Sequence, residues 1–233
     1  MNSTVNDTSA MNTKSAQQLL QFITKYKNVQ RILDDPFYSD PHTVRIFTDG
    51  SCFNNGYINA VGGFASIIVS GYGKNTLLYG KVNPTMLSTS ITSSTKITQP
   101  TNIRAEGFAI LTALNELNDN TYRDIWSDAV IYSDSEFWIN MITKWMPTWT
   151  TSKFSYKSNP DIALSIRDIW RDINCLKRVS IEHVYAHNKD KRANSNNQFD
   201  RYTFHNNDLA DTLASIAKDL PDYTLRRVIV DDM

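Results

Sequence analysis

No excess of charge of either sign marks this chain: across 233 residues, 24 lysines and arginines balance 24 aspartates and glutamates. That balance excludes a protein that meets nucleic acid through a global positive field, and any contact with a polyanion must rest on a local patch. Cysteine is nearly absent. Cys52 and Cys175 have neither the spacing of a metal knuckle nor the number of a disulfide framework, so both read as buried small hydrophobes in a reducing compartment. No apolar run approaches membrane-spanning length, and the first residues lack the charged start and apolar stretch of a secretory signal. The expectation is an intracellular protein with no membrane association, cytoplasm and nucleus both being open. What is present, 41% hydrophobic residues, suffices for one ordinary core with an appendage but not for two large domains.

Periodicity divides the chain. The opening MNSTVNDTSAMN is polar and aperiodic and is expected to be disordered. From Ser15 to Leu33, apolar residues including Leu19, Phe22, Ile23 and Tyr26 recur at helical spacing and stop before Asp-Asp-Pro. This amphipathic helix is expected to dock on the main domain, with a binding role of its own as the alternative. Val44–Thr48, Gly62–Val69 and Thr76–Val82 read as a three-stranded meander. A Ser/Thr-rich stretch, Ser88–Thr101, reads as a surface loop, followed by a helix over Ile103–Leu117. Ala129–Ser133 and Val179–Tyr185 read as strands, and Glu136–Trp145, Asp161–Cys175 and Asn207–Lys218 as helices. The order implies an α/β fold, a mixed five-stranded sheet with helices on both faces. Residues 1–42 form an N-terminal helical extension in this reading, 43–220 the main domain and 221–233 a C-terminal tail.

Four acids stand out. Asp49 and Asp134 fall at the carboxyl ends of expected strands, where side chains project into the crevice that α/β proteins use for ligands. Glu106 and Asp211 fall in the first turns of expected helices. Singly, each has an ordinary explanation: Asp before Gly-Ser is a common turn residue, and a carboxylate in a first helical turn meets the helix dipole favourably. Together they form a converging set that would repel strongly unless hard divalent cations neutralise it, with two magnesium ions as the natural occupants and manganese as a substitute.

Their context resembles the type 1 ribonuclease H family. Thr48-Asp49-Gly50-Ser51 looks like its opening strand motif, Thr101-Asn102-Ile103-Arg104-Ala105-Glu106 like the entry to its first helix, and Tyr132-Ser133-Asp134-Ser135 like its fourth-strand motif. His187 follows the last expected strand, and Asn207-Asp208-Leu209-Ala210-Asp211 resembles the signature that opens its last helix. Each motif alone is weak; five in family order, from about Val44 to about Lys218, are specific. The resemblance implies an RNase H-like fold and an enzyme that cuts the RNA strand of an RNA–DNA hybrid, leaving 5′-phosphate and 3′-hydroxyl ends. Asp49, Glu106 and Asp134 would bind metal, Asp211 would complete the second metal site, and His187 would assist proton movement. Substrate contacts are implied at Gly50, Ser51, Asn102, Ser135 and Asn207. Trp145 and Trp149, one helical turn apart, coincide with a tryptophan pair that lies against the DNA strand, core packing being the alternative. The hybrid is the implied partner, and a monomer is expected.

The sequence also departs from the family. Ile103 and Glu136 replace polar residues, Ala186 stands where glycine precedes the histidine, and Lys153 and Lys157 offer a sparse basic handle. An enlarged segment, Asn188–Asn206, carries Lys189, Lys191, Arg192 and Arg201 and reads first as a solvated charge run, alternatively as a source of basic contacts. These changes favour, as the chief alternative, a noncatalytic hybrid-binding or scaffold protein; a second alternative is a related nuclease acting on DNA, or a ribonuclease H released from a reverse-transcribing element.

Overall fold

The computed structural model describes residues 13–33, 40, 42–70, 74–89, 97–119, 126–155, 157–175, 177–185 and 193–231. The expectations for residues 1–12, for His187 and for Lys189, Lys191 and Arg192 lie outside these, as do residues 90–96 of the Ser/Thr-rich segment. The helices are α1 (Thr13–Ile32), α2 (Asn102–Asn118), α3 (Glu136–Asn140), α4 (Thr151–Phe154), α5 (Pro160–Asn174) and α6 (Gln198–Ala217). The strands are β1 (Thr43–Phe53), β2 (Val61–Val69), β3 (Lys74–Lys81), β4 (Asp128–Ser133), β5 (Arg178–His183) and β6 (Arg226–Asp231), in spatial order β5-β4-β1-β2-β3-β6.

The central strands are apolar on both faces because both faces are covered. Val44 and Ile46 of β1, Phe64 and Ile68 of β2 and Ile131 of β4 point into a core shared with α2, α3 and α5. Alternate residues, Phe47, Ala65, Ile67, Leu77 and Tyr132, point into a second core under α6 and α1. α1 belongs to that core: Leu19, Phe22 and Tyr26 are fully buried in it. Lys25 Nζ reaches Asp208 Oδ2 at 3.2 Å and Gln30 Nε2 donates to Asn206 Oδ1 at 2.7 Å, both on α6. The expected docking of this helix is thus observed, and the second sheet face is closed by α6 and α1 jointly.

Four features differ from the sequence reading. The sheet has six strands, because Arg226–Asp231, expected as part of a tail, pairs antiparallel with β3. α6 begins at Gln198, so Arg201 lies on a helix; its early turns bury Tyr202, Thr203, Asn206 and Asn207, a face with too many polar members to show as apolar periodicity. The helix after β4 is α-helical only to Asn140, then forms a π turn over Met141–Trp145 and a 3-10 turn over Met146–Thr148. Pro147, which has no N–H to donate, sits at the start of that 3-10 turn. Cys52 is half-buried and Cys175, at the C-terminal cap of α5, is exposed, so neither is the buried hydrophobe expected. Among the described residues, no helix is long and apolar enough to cross a membrane.

Candidate active site

The parallel ladder between β1 and β4 ends at the pair Thr48 and Ser133. The next residues on the two strands are Asp49 and Asp134, so both carboxylates enter the gap where the strands part. Asp49 is not at the end of β1, as expected; β1 runs on to Phe53 paired with β2 alone. The Gly50 N–H donates to Asp49 Oδ1 at 2.6 Å and fixes that carboxylate.

Gly50 also permits the third acid to approach. A Cβ at Gly50 would stand 2.2 Å from Glu106 N and 2.4 Å from Ala105 C, so only glycine allows α2 to lie this close to β1. Thr101 caps α2 by accepting from Arg104 N at 3.0 Å. Glu106 then sits beyond the first turn of α2, where its carboxylate Oε2 accepts the hydroxyl of Ser135. The far side is closed by α6. A Cβ at Gly63 of β2 would lie 2.3 Å from Ala214 O and Lys218 N, and Ser215 Oγ donates to Ser51 Oγ at 3.3 Å. Asp211, one turn before Ser215, is exposed and stands well inside α6. The helix-dipole explanation for Glu106 and Asp211 therefore fails, since neither is in a first turn.

Electrostatics shows that the four acids share one neighbourhood. Burial pushes the Asp49 carboxyl well above the ordinary carboxylate range, Asp134, Asp211 and Glu106 push it further, and the Gly50 hydrogen bond offsets part of the effect. Burial also raises Glu106; the Ser135 hydroxyl opposes this and Asp134 adds to it. Among the described residues no three His, Cys, Asp or Glu side chains already enclose a point where one ion could sit. The acids are neighbours within electrostatic reach, not a closed cage. The donor set nevertheless fits a hard divalent cation: all four candidate donors are carboxylates, and the repulsion felt by Asp49 is what such a cation would relieve.

The remaining candidates are placed as follows. Asn102 is exposed at the start of α2, and its backbone N–H is held by Asn55 Oδ1 of the β1–β2 turn at 2.9 Å, a contact no periodicity announced. Gly50 N–H is occupied by Asp49 and Ser135 N–H by Ser133 Oγ at 3.2 Å, so in this form neither N–H is offered outward. Asn207 is buried, with a carboxamide oxygen that has no hydrogen-bond partner among the described residues. Trp145 and Trp149 stack with centroids 6.1 Å apart and planes 7° from parallel. They do so across the π and 3-10 turns and not along a regular helix, Trp149 having extended backbone. Lys157 and Lys153 place their ammonium groups 4.9 Å and 5.3 Å from the Trp149 ring centroid, and Phe154 meets that ring edge-on. The result is a partly exposed aromatic platform rimmed by two cations, suited to sugar, base or phosphate.

A family model described as RNase H matches residues 41–218, which takes in β1 to α6 with every candidate acid. The chain belongs to the ribonuclease H family. A ribonuclease H of Schizosaccharomyces pombe is 30% identical over 146 residues, covering 62% of this chain and 47% of that protein. A ribonuclease HI of Haemophilus influenzae is 29% identical over 130 residues, covering 56% of this chain and 67% of that protein. This ribonuclease H family member thus spans about half the length of the first relative and two thirds of the second. Among solved structures, the prototype foamy virus protease–reverse transcriptase shares the fold, with a TM-score of 0.55 at 16% identity over 82% of this chain and 22% of that one.

Proposed function

We propose that this chain is an endoribonuclease that hydrolyses the RNA strand of RNA–DNA hybrids with the help of two divalent cations, leaving 5′-phosphate and 3′-hydroxyl ends. The observation that carries this reading is the crowding of Asp49 by three further acids from α2, the end of β4 and α6. Within the ribonuclease H family membership, such crowding supports phosphodiester chemistry over a purely structural role.

Asp49, Glu106, Asp134 and Asp211 would hold the cations. Magnesium or manganese bound there supplies an activated water and charge stabilisation at the departing oxygen. The chain's own residues do the rest. Ser135 orients Glu106, Gly50 N–H orients Asp49, and the narrow approach of α2 to β1 keeps both carboxylates in register. In the net reaction the water oxygen bonds to phosphorus, the bond from phosphorus to the 3′ oxygen breaks, and the leaving oxygen gains a proton. His187 is assigned to that proton movement. Asn102, on the exposed start of α2, is assigned to the RNA 2′-hydroxyl, the group that separates RNA from DNA. The Trp145–Trp149 platform is assigned to the DNA strand, with Lys153 and Lys157 meeting its phosphates.

The test is cleavage of end-labelled RNA–DNA hybrid, RNA duplex and DNA duplex with magnesium, manganese or chelator. Internal cutting of the RNA strand of the hybrid alone, abolished by chelator, is expected. Cutting of DNA duplex would replace this reading with a deoxyribonuclease, and hybrid binding without cutting would leave a noncatalytic binding module.

A further inference from the structure

Gly107 follows Glu106 in the interior of α2, a position where glycine weakens a helix relative to alanine. The reason for it is Trp138 of α3, whose side chain is fully buried. A Cβ at Gly107 would stand 2.3 Å from Cζ2 and 2.7 Å from Cε2 of this indole, so the ring fills the space that a side chain would take. Nε1, the atom bonded to Cε2, donates to Ile103 O at 2.6 Å. In an α-helix that carbonyl accepts from the residue four positions on, which is Gly107 itself. A carbonyl oxygen has two lone pairs, and the indole supplies a second donor. The missing side chain at Gly107 is what lets it reach.

Ile103 and Gly107 bracket Glu106 on the same turn of α2. Trp138 also donates its backbone N–H to Ser135 Oγ at 3.5 Å, and the Ser135 hydroxyl donates to Glu106 Oε2. The first turn of α3 thus holds Glu106 twice, by its carboxylate through Ser135 and by its helical turn through the indole. Asp134 directly precedes Ser135, so the same turn keeps two of the four acids in register. The indole is itself braced from behind. Phe137 meets it edge-on with centroids 5.3 Å apart, and Trp145 of the aromatic platform meets Phe137 edge-on at 5.8 Å. A buried indole N–H needs some acceptor, so packing alone accounts for a hydrogen bond. Packing does not account for this acceptor, which is reached only over a helical glycine beside a candidate acid.

We infer that Trp138 is a positioning residue: through Ile103 O, its indole N–H fixes the turn of α2 that carries Glu106 and so sets the aim of that carboxylate toward the cations. Buried as it is, Trp138 acts through the α2 backbone and touches no substrate. The inference rests on the proposed role of Glu106 as a cation ligand.

Trp138→Phe tests it, because it removes the N–H and keeps an aromatic ring in the core. Magnesium affinity of the full chain is measured by titration calorimetry without nucleic acid, and steady-state cleavage of labelled hybrid is measured alongside. The variant is expected to bind magnesium about tenfold more weakly and to cut with kcat lowered about tenfold, the effect typical of removing a group that orients a metal ligand. KM for the hybrid is expected to stay within about twofold, since the substrate contacts are untouched. Gly107→Ala, which displaces the indole, is expected to weaken magnesium binding to the same degree. Both substitutions act through one bond, so the double variant is expected to be little worse than either. Circular dichroism confirms that each variant is folded. A purely structural Trp138 would lower the urea midpoint and leave the magnesium affinity of the folded chain unchanged. Folded Trp138→Phe that binds magnesium as wild type does overturns the inference, and so do effects of the two substitutions that multiply. Magnesium binding by wild type without cutting would remove the proposed activity alone; the calorimetric comparison would still decide the role of Trp138.

Discussion

Arg104 and Asp161 form a fully buried, two-pronged ion pair, with guanidinium nitrogens 3.1 Å and 2.8 Å from the two carboxylate oxygens. The pair bolts α2 to α5 two residues before Glu106. Asp161 also accepts from Leu87 N at 2.9 Å, and Arg104 lies over the Phe108 ring. Removing one partner strands the other charge in the core, so Asp161→Ala is expected to lose about 3–5 kcal/mol in urea unfolding, while the double replacement Arg104→Met, Asp161→Leu recovers most of it. Burial opposes ionisation of Asp161, yet the Arg104 hydrogen bonds and charge hold its pKa below the ordinary value. Its contribution is therefore present above the unfolded pKa of about 4 and lost as pH falls through the lower folded value. Equal stability of wild type and Asp161→Ala at neutral pH would refute this role.

Asp49 has the opposite sign. Its raised folded pKa means that, from about pH 4 upward to that value, the folded chain binds more protons than the unfolded one, and stability falls as pH rises through this window. Without divalent cations at pH 7, Asp49→Asn is expected to melt several degrees higher than wild type, 1 kcal/mol being worth about 2–4 °C at this size. The difference should vanish below about pH 4, where both side chains are neutral. Added magnesium should raise the melting temperature of wild type more than that of the variant. Identical melting curves at pH 7 would show that the acids do not crowd one another.

The aromatic platform makes a separable prediction. Trp149→Ala is expected to weaken hybrid binding by about 1–3 kcal/mol. Lys153→Ala and Lys157→Ala should each lower the slope of log affinity against log salt by about 0.9 if the lysine meets a phosphate. Binding isotherms at several salt concentrations read both effects. An unchanged slope would assign these lysines to packing on Trp149 alone.

α1 is expected to be part of the folded unit. Phe22→Ala should cost about 3–5 kcal/mol, because the side chain is buried against the sheet's second face. A melting temperature unaffected by Phe22→Ala would make α1 a dispensable appendage.

Strands β1 to β5 and the juxtaposition of Asp49 and Asp134 were legible in the sequence for a physical reason. β-branched runs such as Val44–Thr48 mark buried strands, and acids placed after such runs have little choice of where to point. What escaped depended on distant partners. Arg104 and Asp161 are 57 positions apart, and no periodicity links them. The early turns of α6 were hidden because their buried face includes Asn206, whose amide is satisfied by Gln30 of α1 and by Tyr202 O. β6 was hidden by its two arginines, one of which pairs with Asp222 and the other with Glu116. The tryptophan pair was visible as a spacing, but Pro147 redirects the backbone between the two rings.

The most direct test of the central claim is cleavage of a labelled RNA–DNA hybrid by wild type and Asp134→Asn at saturating magnesium, with hybrid affinity measured alongside. This substitution removes one charge from the acidic cluster and leaves the side chain's size unchanged. The account predicts internal cutting of the RNA strand by wild type, a loss of at least about a hundredfold in the variant, equivalent to roughly 2.7 kcal/mol of barrier, and affinity retained. Undiminished cutting by folded Asp134→Asn would contradict it and remove the acids from the chemistry.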